Sequence, residues 1–429
     1  MSLTTRKPRT PSGAVETTEP PSGGILRSIK VYPAFRMLMI GTLVSNTAFW
    51  MYQVAVGWLA LQMTDSAFFV GMAGFAGGIP LLLVSLPAGV IIDRFDRRTV
   101  LMSAQVGVML VAMLFAFLVA TDAIGRASML MLVALYGTIM SFIFPTRTAI
   151  VPSLVERRDL ANGVALNSAV QNATRVIGPS LAGVVIGILG VAETFALAAA
   201  MQLVALMATL RLPQLAPAPA SRGSGGVSGL LLGLRIVSGR PLLMALIVLA
   251  LAPTVLVMPY INLMPVFARD VLELGSTGLG VLLAATGLGT VGGSLWVARR
   301  PASANAGGGQ IRPATAFAAC VIVFSMTPIV WLAVPVLFIA GWMSASFLAM
   351  NQTSLQLNVE DDVRGRVLSI YLLTWGMLPI GQLIVGAMAN PLGTPMAMIV
   401  SATAAIASIA LIAWRFPALR VAPATVATT

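Results

Sequence analysis

Gly89-Val90-Ile91-Ile92-Asp93-Arg94-Phe95-Asp96-Arg97-Arg98 is the stretch whose reading decides the fold. Of the six residues from Asp93 to Arg98, all but Phe95 are charged. The stretch lies directly between two apolar runs, about 67–92 and 99–120, each long enough to cross a bilayer. Charged residues make up only 9% of the chain, so this density is not background. A turn between two membrane helices has little room, and Asp93 beside Arg94, Arg97 and Arg98 invites pairing with other loops on the same membrane face. Such a hairpin could latch one arrangement of a moving helix bundle. It could equally be a charged stop between two spans.

Composition extends the membrane reading to the whole chain. Hydrophobic residues are 58% of 429, against roughly 45–50% in an ordinary soluble domain. No soluble core absorbs repeated uncharged runs of this length, so they face lipid or one another inside lipid. The net charge of +12 is not clustered as a nucleic-acid surface would require, which argues against a nucleic-acid partner. There is no histidine, and the single Cys320 lies in an apolar run. Thiol–imidazole metal centres and His-based catalysis are therefore excluded, and no cofactor or metal is expected.

Working outward, residues 1–30 are rich in Thr, Pro, Ser and Gly with scattered Lys and Arg, and read as a disordered basic tail. Spans are expected at about 37–63, 67–92, 99–120, 128–146, 163–190 and 194–210. A polar connection over 147–162 separates the fourth from the fifth. A Pro/Gly/Ser-rich linker follows, within 212–240, and its end, 230–237, suits a short amphipathic surface helix. Six further spans are expected at about 241–267, 275–298, 314–333, 336–357, 367–389 and 395–414, before a second tail at 416–429. Twelve transmembrane helices in two six-helix bundles, 31–211 and 241–415, are the all-α fold this implies.

All but three of the 26 Lys and Arg residues then fall in the tails and one alternate set of loops; the exceptions are Arg126, Arg175 and Arg269. By the positive-inside rule both termini are cytoplasmic. The halves also look related: Gly178 and Gly183 correspond to Gly381 and Gly386 at a constant offset, and the charged loop before the fifth span matches Glu360–Arg366 before the eleventh. Related halves around a central pathway are the layout of an alternating-access carrier.

These features resemble the major facilitator superfamily. Its hairpin between the second and third spans reads Gly, three residues, Asp, a basic residue, any residue, Gly, then two basic residues. Gly89, Asp93, Arg94, Arg97 and Arg98 match, and Asp96 replaces the second Gly. That replacement is similar to one branch, the enterobactin-exporter-like carriers. So are Trp58-Leu59, Thr64-Asp65-Ser66, Pro152, Asn162, Arg175-Val176-Ile177-Gly178-Pro179 and Arg364-Gly365-Arg366-Val367. The resemblance implies export of siderophores, drugs or other small amphipathic compounds, usually driven by protons, by a bacterial inner-membrane protein. It also implies that Asp93 meets the start of span eleven, where a helix N-terminus and Arg364 and Arg366 supply positive charge. Asp361 and Asp362 could pair in turn with Arg97 and Arg98, and Arg299 and Arg300 should face Glu156 and Asp159. Opening that side would break these pairs.

Arg175 is the charge this reading places deep inside a span, at a cost of at least ~2.5–3.5 kcal/mol on insertion scales, which makes it a functional candidate. Asn167, Gln171 and Arg175 recur every four residues as one polar stripe that ends at a kink expected at Gly178-Pro179. The alternative is structural, with Arg175 satisfying carbonyls freed by the proline. Asn46, Trp50 and Gln53 share a face of span one, and Tyr260, Asn262, Trp342, Asn351, Gln352, Tyr371 and Trp375 lie in spans seven, ten and eleven. The resemblance puts spans one, four, seven and ten around the pathway; the aromatics alternatively anchor at the membrane surface. No Asp or Glu is expected at mid-membrane, so a proton-binding group would be Asp65, Glu193, Asp270 or Asp93.

The function expected is secondary active export of a small-molecule substrate by a bilayer-embedded monomer, with protons the candidate coupling ion. Alternatives are an importer or lipid flippase of the same fold, and a carrier-fold sensor or assembly protein without transport. A membrane enzyme is disfavoured, since no His, mid-membrane carboxylate pair or phosphate-binding Gly-Lys-Ser/Thr loop is present.

Overall fold

Long apolar runs punctuated by Pro, Gly and short charged turns can satisfy their backbone in a bilayer only as helices, and the molecule is almost entirely helical. The computed structural model describes residues 26–215, 227–300 and 308–419. A short α1 (Arg27–Val31) precedes α2 (Pro33–Thr64), α3 (Ala67–Arg94), α4 (Arg97–Ala120), α5 (Arg126–Leu154), α6 (Leu160–Ile188) and α7 (Val191–Thr209). Then come α8 (Val227–Gly239), α9 (Pro241–Leu256), α10 (Tyr260–Val266), α11 (Gly275–Ala298), α12 (Ile311–Ser325), α13 (Val330–Leu357), α14 (Asp361–Gly376), α15 (Leu378–Leu392) and α16 (Thr394–Arg415). Among the described residues, nine helical segments are long and apolar enough to cross a membrane. They are α3, α4, α5, α7, α9 continued through α10, α11, α13, α14 continued through α15, and α16. Helix α12 falls short in length, at 15 residues, while α2 and α6 are long enough but too polar.

Several boundaries differ from the sequence reading. The fourth apolar run does not stop before Arg147: α5 continues to Leu154, carrying Arg147 inside it. The turn between α12 and α13 falls at 326–329, around Pro328, and the expected divider Pro335 lies within α13. Pro335, the sixth residue of α13, removes one backbone donor without breaking the helix, whereas Pro328 biases Thr327 away from helix. The seventh run is broken at 257–259 and ends in a π-helical turn, Phe267–Val271. The eleventh is broken at Met377. By contrast, α6 runs unbroken through Gly178 and Pro179. Part of the tail is ordered too: α1 is stapled to the turn before α6, since Arg27 pairs with Asp159 at 3.2 Å, Tyr32 donates to Asp159 at 2.8 Å and Ser28 donates to Asn162 at 2.7 Å. The disorder expected of residues 1–25 and 420–429 falls outside the described residues, as do 216–226 of the linker.

Helices α2–α7 pack on one another, as do α9–α16, while α8 lies against α14. The two groups meet along α6 with α11, α3 with α14 and α15, and α10 with α2 and α3. One continuous apolar core joins Tyr52, Phe115 and Phe195 of the first group to Phe267, Leu279 and Phe324 of the second. Those residues lie in the parts of their helices remote from the charged hairpin. At the hairpin end the second group has a separate core of its own, including Leu246, Phe347, Leu355 and Val367.

Candidate functional site

The hairpin is held by its own half of the chain. Asp96 lies between α3 and α4 as the N-cap of α4, its Oδ1 accepting from the Thr99 amide at 2.8 Å and the Thr99 hydroxyl at 2.9 Å. Its Oδ2 accepts from the amide of Leu215, at the start of the linker, at 2.7 Å. Burial alone would raise the pKa of the Asp96 carboxyl, but these amide and hydroxyl donors and the nearby Arg98 charge outweigh it and hold the group below its ordinary value. Arg97 donates to the Ala149 carbonyl at 2.8 Å and Arg98 to the Leu210 carbonyl at 2.7 Å. Asp93 and Arg94 stand exposed, and no hydrogen bond or ion pair to either side chain occurs among the described residues.

Among the described residues no hydrogen bond or ion pair joins the second-half members of the expected latch to the hairpin. A Cβ added at Gly89 or at Gly365 would meet nothing within 4 Å. Arg364 donates to the Val359 carbonyl at 3.4 Å, Arg366 is half-buried, and the side chains of Asp361 and Asp362 lie outside the described residues. The counterpart pairing is also absent from this arrangement, because its acids are captured locally: Glu156 pairs with Arg158 at 2.9 Å and Asp159 with Arg27. The Arg300 guanidinium instead sits 3.6 Å over the Trp296 ring.

At the opposite end the halves are closed. Arg269 pairs with Asp65 at 2.8 Å across the interface and donates to the Leu61 carbonyl at 3.3 Å, while Asp270 holds it from behind at 2.6 Å. Asn262 donates to the Val70 carbonyl at 2.9 Å. Backbones approach so closely there that a Cβ at Gly183 would come within 2.6 Å of the Gly280 Cα, and one at Gly71 within 2.5 Å of the Gln382 carbonyl. Glu193, with Trp58, Gln62 and Ser276, lines a hollow of about 500 Å³ at this end. At the hairpin end, by contrast, no hydrogen bond or ion pair joins described residues of the two halves.

Helix α6 runs along the interface between the halves. Its Gly178 packs against Thr47 and Trp50 of α2, and its Val176 and Gly183 against α11. Gln171 and Arg175 project between those two contacts, and the exposed apolar Ile177, Val184 and Ile188 lie on the opposite face. Arg175 is exposed on the face of α6 between those two contacts. Asn167, one turn before Gln171, is buried, its Oδ1 without a partner.

Arg147 escaped the sequence reading. It is 4% exposed, donates to the Asn46 Oδ1 at 2.9 Å, and leaves its Nη2 buried without a partner. The signal was present, because Arg147, Ile150, Val151 and Leu154 continue a helical spacing of apolar positions past Thr146. The other expected pathway residues divide. Trp50 is half-buried and Gln53 exposed. In the second half Gln352 is exposed and Trp375 half-buried, but Tyr260 and Tyr371 are buried. Asn351 is fully buried and donates to the Leu246 carbonyl at 3.1 Å, and Trp342 packs between Trp296 and Phe338.

Comparison with known proteins gives a consistent picture. The family model described as transmembrane secretion effector matches residues 30–426. Enterobactin exporters of Shigella boydii and Escherichia coli are each 27% identical over 394 residues, covering 88% of this chain and 90% of theirs. A bacterial homologue of the human lysosomal transporter Spinster, solved inward-facing and occupied, superposes with TM-score 0.73 at 14% identity, covering 92% of this chain and 99% of its own. The nucleoside transporter NupG does so with TM-score 0.68 at 11% identity, covering 89% and 99%.

Proposed function

Since the chain belongs to the transmembrane secretion effector family of the major facilitator superfamily, we propose that it exports a small amphipathic solute, siderophore-like or drug-like, by alternating access. The observation that carries this reading is the contrast between the two ends: Asp65–Arg269 and the glycine seams shut one, no hydrogen bond or ion pair joins described residues of the halves at the other, and the polar face of α6 would wall the cleft this leaves. An arginine within a membrane-spanning helix marks a polar pathway by default. The enterobactin exporters among its relatives support a siderophore-like cargo.

In this reading α2–α7 and the second-half helices cross the inner membrane of a bacterium twelve times, as two six-helix bundles at 31–211 and 241–415. Both termini and the hairpin are cytoplasmic, so the cleft is open inward. The chain is a monomeric transporter, not an enzyme. When the cytoplasmic side shuts, Asp93 swings to the N-terminus of α14 beside Arg364 and Arg366, and the latch forms in the state opposite to this one. Exposed pairs are worth only ~0–1 kcal/mol each, but a tenfold shift in a two-state equilibrium needs only ~1.4 kcal/mol.

The drive is an ion gradient, with protons the candidate. The decisive experiment loads purified protein into liposomes and follows movement of a siderophore-like solute with and without an imposed pH gradient. Gradient-dependent accumulation is expected; no movement under either condition, at verified insertion, sinks the export reading.

A further inference from the structure

Two cations sit within the helices of the first half with no acid to match them. Each of the chain's acids lies in a tail, a turn or a terminal segment of a helix. Among the described residues neither Arg147 nor Arg175 forms an ion pair. Arg147 has one hydrogen bond, to Asn46, and a buried, unpartnered Nη2; no hydrogen bond from Arg175 occurs among the described residues. A guanidinium carries five donors and does not lose its proton. Leaving such charge uncompensated where it is buried, as at Arg147, is costly, and it persists where a partner arrives from outside.

Helix α2 serves as a ruler for where they lie. Asn46 holds Arg147 on one side, and the adjacent Thr47 and Trp50 pack on Gly178 of α6 on the other. Arg175 precedes Gly178 by three residues, about 4.5 Å of helix rise. Both arginines therefore flank α2 at nearly one depth. Arg175 faces the cleft with Gln171, while Arg147 lies behind Asn46.

We infer that Arg175, backed by Arg147 through Asn46, is the anion-recognition site of the cleft, and that the cargo is an organic anion bearing a carboxylate or comparably acidic oxygen. The inference rests on the transport reading and adds the charge of the cargo. Arg175 touches the anion, its planar fork suited to two parallel hydrogen bonds. Arg147 is a positioning residue: it orients Asn46 and adds positive potential where water is scarce. The anion itself then supplies the negative charge that the membrane helices lack.

The test uses full-length protein in detergent micelles and three probes with one ring and three charges: benzoate, benzamide and benzamidine. Calorimetric titration should show benzoate binding at least tenfold tighter than benzamide, and benzamidine weakest. Arg175→Gln should erase the preference while leaving benzamide unchanged; Arg175→Lys should retain part of it, having charge without the fork. Arg147→Gln should weaken benzoate by a smaller factor and leave its competition with benzamide otherwise intact. Equal binding of the three probes to the unaltered protein, no binding of any, or a preference that survives Arg175→Gln overturns the site. Should Arg175→Gln fail to fold, the probe series on the unaltered protein and Arg175→Lys decide. Export of neutral or cationic cargo without benzoate preference would remove this site and leave transport standing; anion preference without export would do the reverse.

Discussion

Asp93→Asn is expected to slow transport severalfold in liposomes while leaving the thermal midpoint of the purified protein unchanged. The reason is that Asp93 has no partner in the open arrangement, so the loss falls on the shut one. Unchanged turnover at equal insertion would remove the latch. Asp96 behaves oppositely, being fully engaged here. Asp96→Ala should lower stability by ~1 kcal/mol, the usual worth of a helix cap, read as a lower midpoint. The carboxyl is held below its ordinary pKa in the fold, so its contribution is complete above the unfolded value of ~3.9 and is lost as pH falls through the folded value. The gap between the two proteins should stay constant near neutrality and close only in acid. The charged turn itself was legible from the sequence because its spacing between two apolar runs is local. Arg147 was not, because a charge followed by Pro152 and further arginines looks like a loop until Ile150, Val151 and Leu154 are seen to pack.

Among the helices, the α6–α11 seam offers the sharpest test. A side chain at Gly183 would run into the backbone of Gly280 and Ser276, which cannot step aside as a flexible side chain can. Gly183→Leu should therefore force the seam apart at the end remote from the hairpin. A cysteine placed at Thr277, in protein lacking Cys320, should react faster with a water-soluble maleimide; an unaltered rate argues that the seam is not what closes that end. The order of helices could be read from apolar runs and punctuation alone. Their interruptions could not: Pro335, Pro253 and Pro265 all sit inside helices, while the breaks fall at 257–259 and Met377. A proline marks a missing donor, but whether the helix yields there depends on neighbours that regain the lost bond, and those are tertiary.

For the molecule as a whole, the balance between open and shut should respond to Arg269→Gln, which removes the ion pair joining the halves at the closed end. The Asp65 side chain is 79% exposed, so the pair is worth no more than ~1 kcal/mol, and the shift should stay within about fivefold. Spin labels across that end should show a second, longer distance rising in population; a single unchanged distance would mean the glycine seams alone hold it shut. One consequence follows from Leu215 being bound to Asp96 while α8 rests on α14. Only residues 216–226 then span the gap between two fixed points, a leash of at most about 40 Å at ~3.3–3.6 Å per residue. The length of that leash caps how far the hairpin and α14 can part, so trimming it by several residues should restrain the gape of the molecule without touching any group that handles cargo.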